Sequence, residues 1–172
     1  MNIPELPIVR RVRRNHAAEH ATMTILSQHA PGMRLVARST PGGFTLYGDV
    51  DTQTLHQAAD EAVARLQAGE AHLAVHPNCG TNLATGGVLT ALVALLILGR
   101  RPRLDKLPFL VLGTTLALIA SQPLGRLAQR YITTSPRLDG AWVASVRRLR
   151  PGVHKVTIAD QPARQFADSP IA

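Results

Sequence analysis

The sequence predicts an α+β membrane protein. Its parts are a small N-terminal α/β domain (helix, β-hairpin, helix), a two-helix transmembrane hairpin and a short C-terminal β-hairpin. Three observations predict it. Two uncharged apolar runs, Leu83–Leu98 and Leu107–Ala120, flank a short basic connection, Gly99–Lys106. Two pairs of segments alternate apolar and polar residues about Pro-Gly turns, as hairpin strands do. Two further segments carry alanine and leucine at helical spacing.

In chain order, residues 1–14 read as a basic flexible arm with two prolines and the cluster Arg10, Arg11, Arg13 and Arg14. Such a cluster is either solvated or anchored to anionic lipid headgroups, at about 1 kcal/mol per residue near the surface. Residues 15–80 form the N-terminal metal-binding α/β region. A helix over 15–29 is favoured by Ala17, Ala18 and Ala21, with Asn15 as N-cap and Pro31-Gly32 as its stop. Met33–Arg38 and Phe44–Val50 alternate as strands around Pro41-Gly42-Gly43. Asp51 and Thr52 start a second helix, near Gln53–Gln67, in which Leu55, Ala59, Ala62, Val63 and Leu66 share one face. Gly69 ends it, and Ala71–Val75 reads as extended.

Residues 81–132 form the transmembrane hairpin, with spans near Thr81–Gly99 and Leu107–Gly125. A spanning helix needs roughly 20 apolar residues, and in hydrocarbon only a helix satisfies its own backbone. The alternative for these runs is a buried helical pair in a soluble protein. Gly86, Gly87, Ala91, Gly113 and Ala117 are small enough to let two helices approach closely. Residues 133–172 form a C-terminal extension that packs on the N-terminal region. In it Trp142–Arg148 and Val153–Ile158 flank the Pro151-Gly152 turn, and the tail from Gln161 frays.

Composition narrows the function. A net charge of +8 with only 3% aromatic residues leaves few base-stacking platforms, so no nucleic-acid partner is expected. The lipid bilayer and its anionic headgroups are the expected partners, with a homo-oligomer or a larger membrane complex left open. The lone Cys79 excludes an internal disulfide. The start of the chain lacks the apolar core of a signal peptide. Arg100, Arg101, Arg103 and Lys106 on one side balance Arg65, Arg126, Arg130 and Arg137 on the other, so the positive-inside rule ties. The thiol and the missing signal peptide place both termini in the cytoplasm, and the protein in the inner membrane as a multi-pass chain.

Two constellations carry chemistry. In His16-Ala17-Ala18-Glu19-His20 both imidazoles share a helix face and can meet one metal ion, with Glu19 beside them. In His76-Pro77-Asn78-Cys79-Gly80 an imidazole and a thiol three residues apart suit a tetrahedral ion. Cys79 also precedes a helix N-terminus, where partial positive charge favours the thiolate. Thr81 or Asn82 would cap that helix. Read blandly, the same loop is a helix cap with an incidental cysteine, and His29, His56, His72 and His154 are surface or supporting residues. Glu70 and His72 lie near enough in sequence to support the loop.

The stretch from Asn15 to His20, followed by His76-Pro77-Asn78-Cys79-Gly80-Thr81-Asn82 and an apolar run, resembles a family of uncharacterised bacterial membrane proteins. They are described as predicted metal-dependent enzymes, and the chain resembles them or a sister family. That family's motifs are an x-H-x-A-E-H helix, an H-P-x-C-G-T loop entering a membrane helix, and a later Leu-x-Gln-x-x-Thr-Thr segment. Here the last is Leu127-Ala128-Gln129-Arg130-Tyr131-Ile132-Thr133-Thr134, with one extra residue before the threonines, and Ser135-Pro136-Arg137 replaces the usual acidic residues. The resemblance implies metal binding by His16, His20, His76 and Cys79, with Glu19 nearby.

Two functions follow as expectations. In the first, zinc held at the membrane surface keeps one position for water, lowers its pKa toward about 7, and Glu19 acts as general base of a hydrolase. In the second, all four ligands bind, the site is closed, and the metal staples a scaffold or accessory subunit.

Overall fold

The computed structural model describes residues 6–29, 31–99 and 104–160. The tail from Gln161, expected to fray, Arg100, Arg101 and Arg103 of the basic connection, and the first five residues of the predicted arm lie outside them. The helices are α1 (Pro7–His29), α2 (Thr52–Gln67), α3 (Gly80–Leu98) and α4 (Leu107–Ala128), and the strands are β1 (Val36–Thr40), β2 (Gly43–Tyr47), β3 (Ala141–Arg150) and β4 (Val153–Asp160). The protein is mixed α+β.

The two predicted hairpins form, but they join in one antiparallel sheet of order β1-β2-β4-β3. Phe44 pairs with Val156 and Leu46 with His154 across the central β2–β4 ladder. Gly43 has φ 127°, and a Cβ there would sit 2.1 Å from the Val156 carbonyl oxygen, so the tight turn out of β1 needs glycine. One sheet face packs on α1 and α2. Its core joins Phe44, Leu46 and Val156 to Ala17, Ala21 and Ile25 of α1 and to Leu55, Ala62 and Leu66 of α2. The α2 spacing therefore buries the face expected. Asp51 caps that helix, accepting from the Gln53 and Thr54 amides at 2.8 and 3.0 Å.

Three local expectations are corrected. Pro7–Arg14 is not a flexible arm but the first part of α1. Proline suits a first helical turn, but the stronger cause is tertiary. Arg13 Nη2 donates to the carbonyls of Tyr131 and Thr134 at 3.0 and 3.1 Å, and Arg14 pairs with Asp160 at 2.7 Å. Asn15 is consequently mid-helix and buried; instead of capping, its Nδ2 donates to the carbonyls of Thr40 and Pro41 and fixes the β1–β2 turn. Ala71–Ala74 is a 3₁₀ turn rather than extended, with Leu73 and Ala74 buried.

Helices α3 and α4 form an antiparallel pair, and each is long and apolar enough to cross a membrane. With 19 residues, α3 is about 28 Å long at 1.5 Å per residue, close to the thickness of a hydrocarbon core. Only Asn82 and Gly86 of α3 and Ala117, Ser121 and Gly125 of α4 are buried. These are small or polar residues at the mutual contact, while most of the leucines are exposed. Gly86 lies against Ser121 and Leu118, and Gly113 against Val93 and Ile97. Gly87 and Ala91, expected at this contact, face away from it: Gly87 has open space beside it and Ala91 is exposed.

After Ala128 the last turn of α4 widens into a π turn, Gln129–Thr133, closed by the Thr134 amide donating to the Gln129 carbonyl at 2.9 Å. A π turn absorbs one additional residue into an α-helix.

Candidate metal centre

His16 and His20 project from one face of α1 with ring centroids 4.3 Å apart. Each ring is fixed through its Nδ1. His16 Nδ1 lies 3.0 Å from the Thr133 carbonyl, and His20 Nδ1 lies 2.8 Å from the Ala74 carbonyl. A carbonyl can only accept, so both Nδ1 atoms carry the proton and both Nε2 atoms turn inward. Ligating histidines are held in this way: a backbone acceptor sets the tautomer and raises the basicity of the other nitrogen.

Cys79 supplies the third donor. It is the N-cap of α3, its Sγ accepting from the Thr81 amide at 3.4 Å, so the cap is the thiol itself rather than Thr81 or Asn82. His16 Nε2 is 3.5 Å from Cys79 Sγ. The donor atoms of His16, His20 and Cys79 all lie within 4.8 Å of one another. Two imidazoles and a thiolate at such spacing fit a tetrahedral zinc-type ion. Burial opposes the Cys79 thiolate, but hydrogen bonds from His16, His20 and Thr81 outweigh it and bring the thiol down to about 5. Burial likewise opposes a charged His16, yet its Cys79 hydrogen bond and the nearby Glu19 hold it above its ordinary value. Both shifts favour a His16 ring that donates to a Cys79 thiolate, and metal binding there would release a proton.

Glu19 is buried beside the histidines. Burial raises its pKa, while the Ser39 hydroxyl, which donates to Oε2, and the two histidines draw it back. His76 stands apart from the three-donor group. Its ring centroid is 5.8 Å from that of His20, and its Nδ1 accepts from the Asn78 amide at 3.2 Å. Burial, then His20, lowers its pKa.

A polar bridge between α3 and α4 holds the loop. The fully buried Gln129 accepts from the His76 amide at 2.9 Å and donates to Asn82 Oδ1 at 2.8 Å. Asn82 Nδ2 in turn donates to the Pro77 carbonyl at 2.6 Å. Gly125 leaves the room for Asn82: a Cβ there would lie 2.2 Å from Asn82 Oδ1. The motif reading found Gln129 and the threonines without a role for them, and missed Ser39 and Gly125. Uncompensated Asn and Gln at the ends of apolar runs were the available signal, since polar groups in such runs mark functional contacts.

The remaining acidic and histidine residues lie elsewhere. Glu70 is held by Arg65 at 2.7 Å rather than by the loop, and His72 and His29 are exposed. His154 is not a surface residue but is buried in the sheet, with Nε2 3.1 Å from Thr52 Oγ1.

The family model described as a domain of unknown function (DUF6391) matches residues 11–146, which contain all five predicted site residues. An uncharacterised protein of Picosynechococcus sp. (strain ATCC 27264 / PCC 7002 / PR-6) is 34% identical over 148 residues, covering 80% of this chain and 72% of its own. Neither description names a metal or a reaction, so the enzymatic part of the motif resemblance gains nothing from them. No solved structure matches the chain.

Proposed function

This chain belongs to the DUF6391 family, and we propose that it is a membrane-anchored zinc protein, with zinc held by His16, His20 and Cys79 and used for hydrolysis at the bilayer surface. The observation that carries the reading is the pair of Nδ1–carbonyl bonds, to Thr133 and Ala74, which turn both Nε2 atoms toward the Cys79 sulfur. Three protein donors leave one position for water, as in catalytic zinc sites. Zinc bound there would supply Lewis acidity and an acidified water. Glu19, whose pKa burial raises and whose carboxylate accepts from Ser39, stands beside the two histidines to take a proton. The outward-facing leucines of α3 and α4 support insertion of the pair in a bilayer.

A second reading has its own support. His76 lies next to His20 and its Nε2 makes no hydrogen bond among the described residues. A small loop shift would make it a fourth ligand and close the site as a structural staple between α1 and the membrane pair. Metal analysis of detergent-purified protein tests both. One equivalent of zinc in wild type and little in Cys79→Ser is expected; equal, near-zero metal in both overturns either reading. His76→Ala separates them: zinc kept at full occupancy fits the three-donor site, and zinc lost with the fold intact fits the closed one. Glu19→Gln keeps the metal in both, and abolishes turnover only in the first.

A further inference from the structure

Beside the metal centre lies a cleft of about 1390 Å³ that none of its residues line. Arg10, Arg13, Arg14, Arg126, Arg130 and Arg137 surround it, against only Asp139 and Asp160. Arg13 and Arg14 are committed to the fold through Tyr131, Thr134, Asp139 and Asp160. Arg10, Arg126 and Arg137 make no side-chain hydrogen bond or ion pair among the described residues, and Arg130 meets only the Tyr131 ring, 5.6 Å away. With Asp160 taken by Arg14, four cations face the one carboxylate of Asp139 around this concavity, and the excess positive charge is relieved when an anion joins them. Arginine is also the side chain that grips phosphate through two parallel N–H donors.

The position of the cleft tells what kind of anion. Its floor includes Pro123 and Leu127 of α4, near the end of the apolar helix pair. Leu112, Leu116, Ile119, Pro123 and Leu127 follow at helical spacing on one face of α4, all of them exposed, and the exposed Arg130 follows them in the π turn. An apolar track therefore leads out of the would-be bilayer into the arginines. A soluble anion needs no such track, and a lipid needs both parts. We infer that this cleft is a binding site for an anionic phospholipid, its phosphate held by Arg10, Arg126, Arg130 and Arg137 and an acyl chain laid along that face of α4. The site adjoins the metal centre through the backbone: Ala74 and Thr134 line the cleft, while the carbonyls of Ala74 and of Thr133, next to Thr134, hold His20 and His16. This inference rests on the membrane reading above, though not on zinc or hydrolysis.

The test uses the full chain in a neutral detergent with fluorescent phosphatidylglycerol as probe. Unlabelled phosphatidylglycerol should displace the probe, and phosphatidylcholine at the same concentration should not. The triple variant Arg126→Gln, Arg130→Gln, Arg137→Gln removes exposed, unbonded groups; with circular dichroism unchanged, it should weaken phosphatidylglycerol binding at least tenfold. Arg147→Gln with Arg150→Gln, which removes as exposed a pair from β3, should stay within twofold. Equal competition by phosphatidylcholine, or an equal loss in the β3 control, overturns the inference. So does displacement by inorganic phosphate or glycerol 3-phosphate at the lipid's own concentration, which would mark a soluble-anion site. Flotation with phosphatidylcholine vesicles separates the two levels of failure. Protein that floats without phosphatidylglycerol preference overturns the cleft alone, and protein that stays in the aqueous phase overturns the membrane reading with it.

Discussion

Replacing Gln129 by leucine tests how the metal loop is held. The side chain is fully buried, and leucine nearly matches its volume, so packing changes little. What changes is polar: the His76 amide loses its acceptor and Asn82 Oδ1 loses its donor. Each buried group left without a partner costs about 1–3 kcal/mol. Asn82 keeps its bond to the Pro77 carbonyl, which limits how far it can turn to recover. A total near 3 kcal/mol follows, and at about 2–4 °C per kcal/mol for a chain of this size the melting temperature falls by about 6–12 °C. Zinc affinity should fall as well, because His76 and Cys79 sit on the loop this amide tethers. Loss of an outer partner of a metal site costs about 10- to 100-fold. Competition with a chromogenic chelator measures the affinity, and thermal unfolding in detergent the stability. Gln129→Glu, which keeps an acceptor for His76, should lose less of both. Zinc affinity and melting temperature both unchanged in Gln129→Leu would refute the claim that the α3–α4 bridge positions the metal loop.

Two other outcomes follow from the same geometry. In metal-free protein the Cys79 thiol is lowered to about 5, so the thiolate persists down to that pH. Alkylation by iodoacetamide should then be nearly flat from pH 6 to 8, where an ordinary thiol with pKa near 8.5 speeds up about tenfold per unit, and added zinc should suppress it; a tenfold rise per unit in the metal-free protein would contradict the pairing with His16. Gly125→Ala must push α4 away from Asn82 and should lower the melting temperature and zinc affinity together, whereas Gly87→Ala, with open space beside it, should stay within about 0.5 kcal/mol of wild type.

What could be read from the residues was whatever is local. The uncharged runs gave α3 and α4, the alanine and leucine spacing with Asp51 gave α2, and the i, i+4 histidines and the loop cysteine gave the three donors of the candidate metal centre. The errors came where distant segments decide. Pro7–Arg14 carries no strong helix signal of its own and is helical because residues 131–139 and Asp160 hold its arginines. Ala71–Ala74 turns because its carbonyl meets His20. The union of the two hairpins depends on β2 pairing with β4, which lies more than a hundred positions along, and no short-range pattern encodes that choice. Ser39 was invisible for the same reason: its part in the site exists only once β1 lies against α1.

The strand order also sets a schedule for making the protein. β2 has its inner neighbour only when β4 emerges, after both apolar helices have been synthesised. Until then Phe44 and Leu46 sit beside an open edge that can recruit any extended peptide. The sheet and the helices packed on it therefore cannot close before the apolar helix pair has left the ribosome. A chain cut short just after α4 would be left sticky, a substrate for proteases rather than a smaller working version.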